Sequence, residues 1–346
     1  MVGAVQNIIR YVDSGIARAY LSLRKERPGL LCFLFHALFR DESEIEQNHV
    51  DPLDRTTVAM FRELIAYYVD CGYQFVTPQQ VLAGLDPSGR YAMLTFDDGY
   101  YNNHLALPVL EEFNVPALFF ISTRHVREQK CYWWDVLYRE RLAEGASKRQ
   151  AYYDGVEMKS RRTEEMESEL ISRYGVNALK PRSDIDRPFK PSELAEFAKH
   201  PLVHLGNHTA NHAILTNYTP QEALRQVQLA QHHLLEMTGK TPIAIAYPNG
   251  NENDEVIRIC RQAGLQLGFT IVPQKNLLPL NQYGDLMRLH RFVPHSEGPI
   301  RSQCLTYRSD MLLYASFREA YLRLFRRRRA PVQAPMPRTR ASMEMA

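Results

Sequence analysis

The stretch "YAMLTFDDGY", residues 91–100, ends an apolar run on two adjacent carboxylates, Asp97 and Asp98, followed by Gly99. The run reads as a buried strand. Asp-Gly is ordinary turn chemistry, so a solvated turn explains the pair as readily as a reactive site does. The neighbouring segments bear on the choice. "LLCFLFHALF" (30–39) reads as a buried strand, and "TTVAMFRELIAYYVDCGYQFVT" (56–77) as a helix ended by Gly72 and then a strand. After the carboxylates, "NNHLALPVLEEFNV" (102–115) reads as a helix and "PALFFIST" (116–123) as a strand. Strand and helix keep alternating, which is the signature of an α/β fold with parallel strands.

Residues 130–190 interrupt that rhythm. They are charged and helix-prone behind an aromatic opening, "CYWWDVLYRERL" (131–142), and read as an insertion over one face of the core. Alternation resumes with the strand "VHLGNH" (203–208) and the helix "TPQEALRQVQLAQHHLLEMTG" (219–239). The strand "PIAIAY" (242–247), the helix "NDEVIRICRQAG" (253–264) and the strand "LQLGFTIV" (265–272) follow, and "LMRLHRFV" (286–293) reads as the last core strand.

The chain has 346 residues, 45% hydrophobic and 23% charged, enough for one large domain with appendages. A net charge of +3 gives no argument for nucleic acid. The five cysteines (Cys32, Cys71, Cys131, Cys260, Cys304) are scattered with no Cys-x-x-Cys pair, so neither a zinc knuckle nor a disulfide framework is indicated, and reduced thiols fit a cytoplasmic setting. The N-terminus makes a poor secretory signal, and the longest apolar run is too short to span a bilayer. Residues 4–24 place Val5, Ile8, Ile9, Val12, Ile16 and Tyr20 at helical spacing among Arg10, Arg18 and Arg24. That helix packs on its own domain or lies on a membrane surface. A basic amphipathic helix is expected to run up to residue 329, and residues 330–346, with several prolines and little to bury, read as a disordered tail.

The chemistry lies in a constellation. "GNHTANHAIL" (206–215) places His208 and His212 four residues apart, on one face if the segment turns helical. Both this segment and the Asp pair fall at predicted strand ends, the edge where binding residues converge in parallel α/β folds. One aspartate and two histidines make a three-ligand site with open positions, as a catalytic metal needs. The second aspartate is then free to take a proton from a water at that site.

Taken in order, "TFDDGY", "HTANH" and "AYPNG" resemble the first three motifs of the polysaccharide deacetylases with the NodB homology domain (carbohydrate esterase family 4), over residues 29–300. The resemblance implies a distorted (β/α) barrel of about seven parallel strands, carrying a helical insertion and terminal helices. The domain scheme is then an N-terminal helix over 1–28, the deacetylase domain over 29–300, the basic helix over 301–329 and the tail. It also implies a metal-dependent N-deacetylase, with Asp97 as general base and Asp98, His208 and His212 as ligands of a divalent metal, most often zinc.

The match departs from the family pattern in three places. Ala246 stands where an arginine usually precedes the proline of "AYPNG", so Arg291, or second to it Arg288, is expected to supply the cation beside the base. The usual Leu-x-His carrying the general acid is displaced by one at His290, and His36 in "LFHALF" is preferred as the acid, with His290 second. The insertion brings Trp133 and Trp134, which form either a stacking wall for a sugar or an anchor to the core. Tyr247, Pro248, Asn249 and Trp134 are the expected substrate contacts, with a backbone N–H near Tyr247 donating to the oxyanion.

The expected substrate is an N-acetylated sugar or glycan, and in a cytoplasmic setting a soluble, nucleotide-linked or lipid-linked precursor. Basic terminal helices offer a peripheral contact with an anionic membrane face, while solvated charge on a packed helix explains the same residues. Hydrolysis of an O-acetyl ester or cyclic amide, and an inert binding member of the fold, are the alternatives.

Overall fold

From Tyr91 to Phe96 every residue of the decisive strand is buried, on both faces, as a parallel strand covered by helices requires. The structure, a computed structural model, describes residues 2–51, 55–296 and 298–310. In chain order the elements are α1 (Val2–Leu23), β1 (Gly29–Phe35), α2 (Glu42–Glu46), α3 (Val58–Asp70), β2 (Gln74–Phe75), α4 (Pro78–Ala83) and β3 (Arg90–Phe96). Then come α5 (Leu107–Phe113), β4 (Ala117–Ile121), α6 (Thr123–Glu128), α7 (Trp133–Ala143), α8 (Lys148–Met158), α9 (Thr163–Tyr174) and α10 (Pro191–Phe197). The last are β5 (Val203–Asn207), α11 (Pro220–Thr238), β6 (Ala244–Ala246), α12 (Asp254–Gln262), β7 (Leu267–Phe269), β8 (Asn276–Leu277), α13 (Leu280–Tyr283), β9 (Arg291–Phe292) and α14 (Ile300–Ser309).

Strands β1, β3, β4, β5, β6 and β7 pair in parallel in that order. The ring is nearly closed by one short segment. Leu289 bridges Phe269 of β7 in parallel, and two residues later β9 pairs in parallel with Cys32 and Phe33 of β1. The result is a distorted (β/α) barrel of seven parallel strands. β2 borders the first half of β3, and β8 runs antiparallel to the start of β1. The expected strand over 286–293 is therefore broken: a short 3-10 turn, Leu286–Arg288, precedes a two-residue strand.

Side chains of a strand alternate between faces, and here the alternation sorts cleanly. Leu30 and Cys32, Tyr91 and Met93, Leu118 and Phe120, Ala244 and Ala246, and Leu267 and Phe269 pack with each other inside the barrel. Leu31, Phe33 and Phe35, Leu94 and Phe96, and Phe119 and Ile121 face outward, beneath Phe61, Leu64 and Ile65 of α3, Leu110 of α5 and Phe197 of α10. Gly206 of β5 takes an inward position where a Cβ would fall 2.2 Å from the Phe120 ring, so only glycine lets that ring fill the barrel.

Helices α7, α8 and α9 occupy the segment read as an insertion, with Trp133, Val136, Leu137, Met166 and Leu170 forming their own small core. They are tied to the barrel rim. Arg162 pairs with Glu222 at 2.8 Å, and the Tyr218 hydroxyl accepts from Thr163 N–H at 3.0 Å. The expected N-terminal helix is α1, which packs against α14. Residues 301–309 of the expected basic helix lie in α14, which ends at a left-handed Asp310, and the rest of that expected helix to 329 and the tail at 330–346 lie outside the described residues. Among the described residues no helix is long and apolar enough to cross a membrane.

Candidate active site

Tyr91, Met93 and Thr95 are the odd-numbered positions of β3, and the first two face into the barrel, so Asp97 follows in the same inward register at the mouth. Its carboxylate meets the guanidinium of Arg291 from the opposite side of the closure, through Nη1–Oδ1 at 2.7 Å and Nη2–Oδ2 at 2.8 Å. Arg291 is fully buried; its Nε donates to Thr270 O at 2.9 Å and Nη1 to Thr95 Oγ1 at 3.1 Å. Burial raises the Asp97 pKa. The Arg291 charge, helped by His208, the arginine hydrogen bond and His36, outweighs that and holds the carboxyl below its usual range. Of the two arginines expected to supply a cation, Arg291 is the one that pairs with Asp97. Arg288 does not reach it: its guanidinium pairs with Glu252 at 3.0 Å and Asp254 at 2.6 Å on the outer rim.

In an extended chain Asp98 would point away from Asp97. Instead its φ is +76°, a left-handed conformation that costs about 1–3 kcal/mol and must be held by its surroundings. Two donors hold it: Tyr132 Oη at 2.6 Å and Ser122 N at 3.0 Å both donate to the Asp98 carbonyl. The turned carboxylate meets two imidazoles, with Asp98 Oδ1 3.3 Å from His208 Nε2 and 3.4 Å from His212 Nε2.

His208 directly follows β5, and its Nδ1–H donates to Ala246 O at 2.9 Å, which leaves the Nε2 lone pair facing Asp98. The expected helical turn between the two histidines is not formed. Thr209 and His212 adopt φ of +62° and +47° in a loop after β5, and the loop is locked where Ala213 N donates to Thr209 Oγ1 at 2.7 Å. Those left-handed residues, rather than a helix face, bring His212 back beside His208.

These atoms fit a bound cation. Asp98 Oδ1 is buried and accepts no hydrogen bond, although two ring nitrogens face it. Burial, followed by the charges of His208, His125, Lys159 and His36, holds the His212 pKa well below the histidine range, so its ring is neutral with a lone pair available. One carboxylate oxygen and two imidazole nitrogens lie mutually within 4.8 Å, a donor set that could hold a metal ion in an open three-ligand site.

His36 stands one residue past β1 at the same mouth. It is half-buried, its carbonyl accepts from Asn103 Nδ2 at 2.7 Å, and its charge bears on both Asp97 and His212. His290, the second candidate acid, contacts Thr270 Oγ1 through Nδ1 at 3.2 Å, and the charges bearing on it are those of Asp310 and Glu252.

The loop after β6 is divided. Ala246 faces inward, so Tyr247 faces out: its ring is fully buried beneath α11 and α12, and its hydroxyl donates to Met287 O at 2.9 Å. Its N–H donates to Phe269 O at 3.1 Å. The structure therefore places neither the Tyr247 side chain nor its N–H toward the site, because period two turned it away. Pro248 is buried in a 3-10 turn, Pro248–Gly250. Asn249 lies on the rim, where its Oδ1 accepts from Lys159 Nζ at 2.8 Å.

The two tryptophans differ in burial, and both pack against the insertion's core. Trp133 is buried in the core of the insertion. Trp134 is half-buried, stacked on Tyr132 at 4.8 Å and packed against the His212 ring at 4.5 Å, and its Nε1–H donates to Tyr100 Oη at 3.1 Å. Lys159 and Tyr132 were not singled out from the sequence. Tyr132 lay inside the quoted aromatic opening, whereas Lys159 sits in a charged stretch with no motif spacing.

A nearly closed (β/α) barrel with an Asp-His-His cluster and a paired carboxylate at the carboxyl mouth of its strands is an enzyme-like architecture. The family model for polysaccharide deacetylase matches residues 84–268, more than half the chain, and the chain belongs to that family. Among curated proteins it is similar to YxkH of Bacillus subtilis (strain 168), whose name places it among the polysaccharide deacetylases, at 23% identity over 209 residues. That match takes in 59% of this chain, and the chain spans about half the relative, 54% of its length.

Among solved structures it is similar to the Streptococcus pyogenes deacetylase PplD in complex with acetate (TM-score 0.54, 17% identity, 81% of this chain and 99% of that one). A second is IcaB from Ammonifex degensii (TM-score 0.54, 17% identity, 82% and 98%). At such identities the likeness speaks for the fold.

Proposed function

We propose that this protein is a metal-dependent hydrolase that removes the N-acetyl group from an amino sugar in a glycan, oligosaccharide or glycan precursor. The observation that carries the reading is the buried Asp98 oxygen, without a hydrogen bond and faced by two imidazole nitrogens, beside an ionised carboxylate fixed by Arg291. Family membership supports the same reaction class. Asp98, His208 and His212 would hold the cation, and a carboxylate with two imidazoles suits zinc. A cation there supplies a polarised acetyl carbonyl and an acidified water.

Asp97 Oδ1 or Oδ2 takes the proton of the attacking water, and the Arg291 fork keeps that carboxylate charged and oriented while it does so. His36 protonates the departing amine. Trp134 and Asn249 line the sugar's approach. A cytoplasmic setting is part of the proposal and rests on the five free cysteines. The packing of α1 on α14 supports terminal helices that belong to the domain, ahead of a membrane contact.

The test is acetate release from matched N-acetyl and O-acetyl sugars, by metal-free chain and after addition of zinc or cobalt, with Asp98→Ala and Asp97→Asn alongside. Metal-dependent release from the N-acetyl sugar, lost in both variants, is expected. Release from the O-acetyl sugar alone would assign the other bond, and failure of the chain to bind metal would remove the site.

A further inference from the structure

We propose that Lys159, delivered to the barrel mouth by the insertion, is an anion-recognition point, so that the amino sugar acted on carries a phosphate or carboxylate near its acetamido group. The inference rests on the deacetylase reading for its substrate class, but the anion site can be tested apart from it.

Lys159 caps α8, and the backbone that carries it is fixed over the rim: Asn217 Nδ2 donates to Lys159 O at 3.0 Å and to Arg161 O at 2.9 Å. Its ammonium has three N–H donors, and the one hydrogen bond it makes among the described residues is to Asn249 Oδ1 at 2.8 Å. No carboxylate among the described residues forms an ion pair with it, although the charges of Asp51 and Asp98 bear on it. Of these two acids, Asp98 turns its carboxylate to the two imidazoles.

Lys159 is half-buried, and burial lowers its pKa against the charges of Asp51 and Asp98, which raise it. A tie between the insertion and Asn249 would be made as well by a neutral glutamine and needs no charge. A ligand anion at the mouth supplies the missing partner and uses the two remaining donors. Lysine suits a phosphate as a point charge, and the same geometry accepts a carboxylate.

The test is calorimetric titration of the full chain with three probes: N-acetylglucosamine 1-phosphate, the uronate of N-acetylglucosamine, and the neutral methyl glycoside. Wild type, Lys159→Met, Lys159→Arg and Asn249→Ala are compared, with circular dichroism reporting their folding. Wild type is expected to bind one anionic sugar at least about tenfold more tightly than the neutral one, a single charge-assisted contact. Lys159→Met should erase that preference and leave the neutral affinity unchanged, whereas Lys159→Arg and Asn249→Ala should keep most of it. Which anionic probe is preferred names the source of the charge.

Equal affinity of wild type for all three probes, or a preference that survives Lys159→Met, overturns the proposal. So does a preference lost equally in Asn249→Ala, which would make the lysine a tie. Acetate release is followed in parallel. A preference without release from any probe leaves the anion point standing and removes the deacetylase reading.

Discussion

Replacing Arg291 by methionine should be the most damaging single change to the mouth of the barrel that keeps side-chain bulk. The guanidinium side chain is 0% exposed and the Asp97 carboxylate 4%, and two parallel bonds of 2.7 and 2.8 Å join them. Arg291→Met leaves the carboxylate buried without its cation and strips donors from Thr270 O and Thr95 Oγ1. Breaking a buried pair from one side costs about 3–5 kcal/mol, because the orphaned charge keeps its desolvation penalty. Urea unfolding of the metal-free chain, followed by far-UV circular dichroism, reads this as a lower midpoint at unchanged slope.

The double variant Arg291→Met/Asp97→Asn removes the orphaned charge as well. It should be markedly more stable than the two single costs added together, with a coupling energy of about 2–3 kcal/mol. A loss below about 1 kcal/mol in Arg291→Met, on the scale of exposed pairs, would refute the reasoning. Single costs that simply add in the double variant would refute it too. Either outcome would mean that Arg291 fills space in the barrel and does not hold Asp97.

Two further outcomes concern other buried groups. Tyr132→Phe removes the 2.6 Å hydrogen bond that holds the left-handed Asp98, and should weaken zinc affinity about 10–100-fold in competition with a chromogenic chelator. Unchanged affinity would show that the Ser122 N–H suffices. Glu26 lies under Arg308, Tyr73 and Lys275. Burial raises its pKa, but the hydrogen bonds from Arg308 and Tyr73 and the charges of Lys275 and Arg308 outweigh this and lower it. A lowered carboxylate contributes stability above its unfolded pKa and loses it as pH falls through the folded one. Glu26→Gln should therefore destabilise the protein by about 2 kcal/mol at pH 7, with a smaller gap at pH 3. A gap equal at both pH values would reject the assignment.

The parts of this architecture that were legible are those written in unbroken apolar runs. β1, β3 and β4 lie buried on both faces, so their sequences carry no polar alternation to confuse the reading. β9 was not legible as a two-residue strand, because its place is set by closure between β7 and β1 and not by its own composition. Arg291 was legible by type, since a buried base needs a cation and the segment offered only two arginines. Tyr247 was misplaced by treating "AYPNG" as a unit, although period two separates Ala246 from Tyr247 across the sheet. Lys159 could not be read at all: its neighbours Asn249 and Asp98 are 90 residues on and far upstream in the chain, and only the folded insertion brings them together.

The site also shows why alternation alone could not have built it. Period two delivers Asp97 and His208 to the inward face without strain, as continuations of β3 and β5. It sends Asp98 away, and a regular helix was the other simple way to recover His212. The chain uses neither regular solution. Left-handed residues at Asp98, Thr209 and His212 turn the second carboxylate and the second imidazole into the mouth, at a cost of about 1–3 kcal/mol each. For aspartate and histidine that conformation is uncommon but tolerated, whereas for branched Thr209 it is a true outlier. The Thr209 Oγ1 and N–H are both engaged, with Ala213 N at 2.7 Å and Asn207 Oδ1 at 2.8 Å, so local bonds hold the strain. The strain is concentrated at two of the three proposed ligands and at the residue that sets the loop between the histidines, and it turns their side chains toward one point at the mouth of the barrel.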